Sequence, residues 1–229
     1  MTNSDRSTTP TTARPGVRAA TGAMRRLARD IVAIIREHRR AFLVLNLAYV
    51  GMFGIGILAT ALVPELRPGG LGALQAQPGT GGLGTVIGDA YRSGSIAIAA
   101  VVTFAVNLVS ASLLQTTVPS LVIPFLGVAA TLARGLSWGV LFTPFGAEDP
   151  TFLVHWVTLA IEGAAYVVVG FAAWVHGRRF LQPQRHGFET RRAGYVGGLV
   201  ATLKLYVLVI VLLILGALYE AVTVIHLIA

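Results

Sequence analysis

The chain has 229 residues, of which 55% are hydrophobic and 12% charged, about half the charge of a soluble domain. Its formal charge of +8 invites a nucleic-acid reading, but the bases flank apolar runs, where they act as topology signals and as contacts for anionic lipid. Nucleic acid is therefore excluded as a partner. With no cysteine, disulfides, thiolate metal sites and thiol nucleophiles are excluded together.

The first 23 residues are rich in Thr, Ser, Pro and Arg and are expected to form a disordered cytoplasmic tail. From Met24 to Arg40 the pattern changes. Leu27, Ile31, Ile34 and Ile35 recur at helical spacing, which predicts a basic amphipathic helix on the inner leaflet. Arg25, Arg26, Arg29, Arg36, Arg39 and Arg40 are its candidate contacts for anionic lipid. Residues 24–229 are expected to form one membrane domain.

The first span is predicted at about 41–63, with Gly51, Gly54 and Gly56 as a close-approach face and Pro64 as its end. A Gly-rich external connection, Glu65 to Arg92, is expected to be partly helical. The second span is predicted at about 93–115. A turn at Gln115–Val118 leads to a third at about 119–143, kinked at Pro124. An acidic external turn carries Glu148 and Asp149. A fourth span at about 151–175, a basic connection and a fifth span at about 199–228 complete the chain. Of the 18 Lys and Arg, nine lie at or before Arg40 and six lie in the fourth connection or just after it. Short cytoplasmic loops carry the Lys/Arg excess, so the N-terminus is expected inside and the C-terminus outside. The fold class is all-α, a polytopic bundle of five spans in the cell membrane, preceded by the interfacial helix.

An ionisable residue inside hydrocarbon is a functional candidate. This chain offers Arg134, His155, Glu162 and Glu220, with Asn46 and Asn107 polar but uncharged. At 1.5 Å per residue, Arg134 lies about 14 Å and Glu162 about 17 Å below the same surface. Either charge alone would cost about 2.5–3.5 kcal/mol, so an Arg134–Glu162 ion pair is expected. His155 and Glu162 share a face but stand about 10 Å apart, too far for one metal, and an HExxH spacing is absent. No Walker A, GxGxxG or GxSxG pattern is present. The chain is accordingly expected to be non-enzymatic, with neither metal nor cofactor. Gly135 and Gly139 form a GxxxG packing face.

The stretch from Phe104 to Phe142, followed by Phe152 to Trp174, resembles the stage II sporulation protein M family. The resemblance rests on Asn107 in the second span, and on Pro124, Gly127, Gly135 and Gly139 in the third. His155, then Glu162, Gly163 and Ala164, follow in the fourth, and Glu220 comes late in the last. Arg134 departs from the family pattern, which has Asn before the glycine. The resemblance implies a polytopic membrane scaffold. In spore formers the family member works with sporulation proteins D and P on septal peptidoglycan, whereas many relatives occur in organisms that do not sporulate. The expected function is a scaffold recruiting envelope-remodelling or signalling proteins. Its partners would be other membrane proteins, anionic lipid and a second copy of the chain. The alternative is a transport or permease subunit using the intramembrane Arg, Glu and His. The helix before the first span resembles the elbow helix of ABC-exporter permeases at the level of architecture.

Overall fold

The computed structural model describes residues 15–66, 83–145 and 152–227. The described residues are helical throughout and contain no strand. They form α1 (Pro15–Glu37), α2 (Arg39–Leu62), α3 (Leu83–Arg92), α4 (Ile96–Val122), α5 (Leu126–Leu141), α6 (Phe152–Leu181) and α7 (Arg191–Leu227). Four of these, α2, α4, α6 and α7, are long and apolar enough to cross a membrane. The segment predicted as the third span holds only the 16-residue α5, about 24 Å long at 1.5 Å per residue.

Local chemistry sets the element boundaries. α1 opens at Pro15, so the stretch before Met24, expected to be disordered, is helical from that point; residues 1–14 lie outside the described residues. A proline suits a first turn because its missing N–H needs no partner there. The α1–α2 break falls at His38, whose φ of −115° and ψ of 27° leave the helical region. Pro64 ends α2 as expected. The residue before it, Val63, is forced towards extended backbone at φ −128° and ψ 88°. The Ser95 side chain caps α4 by accepting from the Ile98 N–H.

The predicted turn at Gln115–Val118 is absent. From Val106 to Thr117 the α4 helix widens into a π-helix and then continues to Val122. Ser112 donates to the Asn107 carbonyl at 2.9 Å and Thr116 to the Ala111 carbonyl at 2.8 Å, each spanning five residues. Pro119, expected to open a helix, sits inside this continuous one, where local π adjustment accommodates a missing donor. The chain reverses instead at Ile123–Phe125. Ile123 is extended before Pro124, and Phe125 takes a left-handed φ of 69°. Pro124 therefore separates two helices rather than kinking one. The Gly127 N–H donates to the Ser120 hydroxyl across the reversal.

Contacts fix the relative directions. Tyr49 meets Gly135, Gly56 meets Gly139 and Thr60 bonds Thr143, so α2 and α5 run parallel. Glu162 meets Gly216 and His176 meets Gly198, so α6 and α7 run antiparallel. Phe125 meets Gly177 and Phe142 meets His155, so α5 and α6 are also antiparallel. The core gathers on α6, the most buried of the long helices. Its Ala165, Val169, Phe171, Ala172 and Val175 pack with Leu205, Val209 and Leu213 of α7. Ile34 of α1 joins this core. In contrast, α2 is peripheral, with Leu43, Val44, Leu47, Val50, Leu58 and Leu62 exposed.

Candidate functional site: an intramembrane polar cluster

All five residues proposed for an intramembrane cluster lie in the helix bundle: Asn107, Glu162 and Arg134 are linked directly or through Tyr166, and His155 and Glu220 form a second pair. Asn107, in the widened part of α4, donates from Nδ2 to Glu162 Oε1 at 2.6 Å. The Tyr166 hydroxyl donates to Asn107 Oδ1 at 2.9 Å. Asn107 thus uses its amide in both directions, bridging two side chains one helical turn apart on α6. Glu162 and Tyr166 are both buried. Gly216 lets the Glu162 stem lie against α7, since a Cβ there would stand 3.0 Å from Glu162 Cγ.

The expected Arg134–Glu162 ion pair is not formed. The Arg134 guanidinium donates to Gln115 Oε1 at 2.7 Å and to the Ala111 carbonyl at 3.4 Å. It also stacks over the Tyr166 ring, 4.4 Å from the centroid, an arrangement that stabilises a cation in a poorly solvated site. Arg134 therefore touches the cluster through Tyr166 rather than through the carboxylate. Gln115, Tyr166 and Gly216 were missed in the sequence, because uncharged polar residues and glycine raise no alarm in an apolar run.

A second carboxylate lies about one turn beyond Gly216 on α7, towards the N-terminal end of α6. Glu220 is buried and its Oε1 is 3.9 Å from His155 Nε2, within ion-pair range but beyond a hydrogen bond. Tyr91 of α3 reaches Glu220 and bonds Thr103 of α4 at 3.0 Å. The arrangement places two buried carboxylates and one imidazole on two adjacent helices.

The packing glycines are accounted for. A Cβ on Gly139 would strike the Phe53 carbonyl, one on Gly135 the Tyr49 backbone and ring, one on Gly127 the Ser120 side chain, and one on Gly163 the Tyr49 ring. On α2 only Gly56 serves close approach; Gly51 and Gly54 have nothing within 4 Å.

The basic end of the bundle carries a separate polar set. Lys204 Nζ bonds Asp30 Oδ2 at 2.9 Å, tying α1 to α7. Glu37 receives Arg179 Nη2 on Oε2 at 3.4 Å and His186 Nδ1 on Oε1 at 3.0 Å. His38 Nε2 stands 3.3 Å from the same Oε1, its ring packed edge-on to Phe171 and Trp174. Burial raises the Glu37 carboxyl, but the His186 hydrogen bond and the charges of His38 and Arg179 outweigh it and hold the group below its ordinary value. Burial lowers His38, aided by the charges of His186 and Arg179 and opposed by Glu37. The six candidate lipid contacts, Arg25, Arg26, Arg29, Arg36, Arg39 and Arg40, are all exposed. None of them joins an ion pair among the described residues. No family model, curated protein or solved structure matches this chain.

Proposed function

We propose that this chain is a non-enzymatic scaffold of the cell membrane that crosses the bilayer five times and holds envelope-remodelling or signalling membrane proteins. This is the role implied by its resemblance to the stage II sporulation protein M family. The observation that carries it is the closed bridge at Asn107, which donates to Glu162 and accepts from Tyr166. Polar groups that satisfy one another inside a bundle fix helix register. The N-terminus is assigned to the cytoplasm and the C-terminus to the far side, from the clustering of bases at one end. The exposed arginines of α1 suit the anionic inner leaflet, each contributing about 1 kcal/mol near such a surface. The exposed apolar face of α2 is the surface offered to other membrane helices.

A transport subunit is the second reading. It is favoured by the buried pair Glu162 and Glu220, neither of which has a Lys or Arg in ion-pair contact among the described residues. Reconstitution into vesicles with a pH-sensitive and a cation-sensitive dye separates the two readings. The scaffold predicts that flux through the protein equals that of Glu162→Gln, and that crosslinking in native membranes captures other membrane proteins. Flux that disappears in Glu162→Gln would overturn it in favour of transport.

A further inference from the structure

The sequence shows no metal motif because the residues that converge at the basic end are far apart along it. His186 and Glu37 stand 149 positions apart. Glu37 and His38 come from the α1–α2 junction, and His186 from the short 3-10 turn Pro183–His186 between α6 and α7. One ligand atom from each lies within 4.8 Å of the other two.

We infer that Glu37, His38 and His186 form a three-ligand site for a divalent transition-metal ion of the zinc type. The spacing is the first argument. With bonds of 2.0–2.1 Å, neighbouring ligands of a tetrahedral zinc ion stand about 3.3 Å apart. His38 Nε2 and His186 Nδ1 lie 3.3 Å and 3.0 Å from Glu37 Oε1, so two edges of the tetrahedron are already set. The third, between the two imidazoles, spans at most 4.8 Å and would close by rotation of the rings.

The second argument is the state of the donors. His38 is buried, and its Nε2 lacks a hydrogen-bond partner despite facing Glu37. His186 Nε2 is likewise buried and without a partner. A buried polar atom left without a partner costs about 1–3 kcal/mol, and coordination would remove that cost at His38 Nε2, the His186 ligand atom being Nδ1. Two imidazoles and a carboxylate match the borderline metals, zinc first, rather than magnesium or calcium, which prefer all-oxygen sets.

The third argument is the surrounding shell. Arg179 holds Glu37 Oε2, leaving Oε1 for the metal, as outer-shell partners commonly orient ligating carboxylates. Glu37 is exposed, so the fourth position is open to water or to a group from a partner protein. Bound metal would clamp the α1–α2 junction onto the α6–α7 connection, whichever functional reading holds.

The test uses the full chain in detergent, with zinc and cobalt(II) as probes. After dialysis against excess zinc, elemental analysis should find one ion retained per chain. Glu37→Gln and His186→Gln should each weaken retention by at least roughly 100-fold, the upper end of losses caused by outer-shell changes alone. His226→Gln, remote in sequence at the end of α7, should retain zinc like the parent chain. Cobalt should give the intense visible bands of a four-coordinate site. Zinc absent from the parent chain, or retained equally by all three variants, would overturn the proposal. Should a variant lose helicity by circular dichroism, the cobalt spectrum of the parent decides: weak octahedral bands would overturn it.

Discussion

Asn107 is where the bundle's polar interior depends most on one side chain. Its amide is the direct hydrogen-bond partner of Glu162 and of the Tyr166 hydroxyl. Asn107→Leu would leave a buried carboxyl without a donor and a buried phenol without an acceptor. The expected loss is about 1–3 kcal/mol or more, read as a lowered midpoint of thermal unfolding in detergent. The double variant with Glu162→Leu should lose less than the sum of the singles, with a coupling of about 0.5–3 kcal/mol. Arg134→Leu combined with Glu162→Leu should couple more weakly, because Arg134 bonds Gln115. Equal couplings would mean that the guanidinium sustains Glu162 as much as the amide does. Sequence reasoning found Asn107, Arg134 and Glu162 but paired them wrongly for a definable reason. Depth along a helix is one coordinate, whereas contact also needs the direction around the axis, which residue counting does not supply.

At the scale of elements, the parallel crossing of α2 and α5 rests on glycine. A Cβ on Gly139 would meet the Phe53 carbonyl and the Gly56 Cα, and one on Gly56 would meet the backbone of Leu136 and Val140. Backbone atoms in two packed helices cannot step aside as a flexible side chain can. Gly139→Val and Gly56→Val should therefore each destabilise by about 1–3 kcal/mol or more. Gly51→Ala is the control. It has open space around it and should be neutral or stabilising by up to about 1 kcal/mol, since glycine weakens a helix interior. Similar losses at all three would show that α2 does not pack through Gly56. The GxxxG at Gly135 announced a close helix contact but not its partner, for the same want of an azimuth. Helix ends were more legible, because Pro64 acts through local sterics. The reversal at Phe125 was not, because no local signal marks a left-handed phenylalanine or the packing of its ring against Gly177. The convergence of Glu37 with His186 was invisible for the same reason.

For the whole molecule, the number of crossings decides which side the C-terminus occupies. Four helices qualify by length and apolarity, and an even number would return the chain to its starting side. In the proposed reading α5 supplies the parity. It is shorter than the roughly 30 Å of hydrocarbon, yet it follows α2 in parallel from Tyr49 to Thr60 and runs antiparallel to α6 from Phe125 to Phe142. In the proposed five-span reading, a helix so placed between α4 and α6 would carry the chain across, with the adjoining reversal at 123–125 and the Thr143 contact lengthening its reach. The count of five and the N-in, C-out orientation are then one prediction. Reporter fusions at Gly187 and before Met1 should read cytoplasmic, and fusions at Gly79 and after Ala229 should read outside. Gly187 reading outside and the C-terminal fusion reading cytoplasmic would mean that α5 does not cross. The antiparallel packing of α2 against α6, seen where Tyr49 meets Gly163 and Phe53 meets Trp156, would then have to be abandoned with it, because α6 would start on the cytoplasmic side and cross in the same direction as α2.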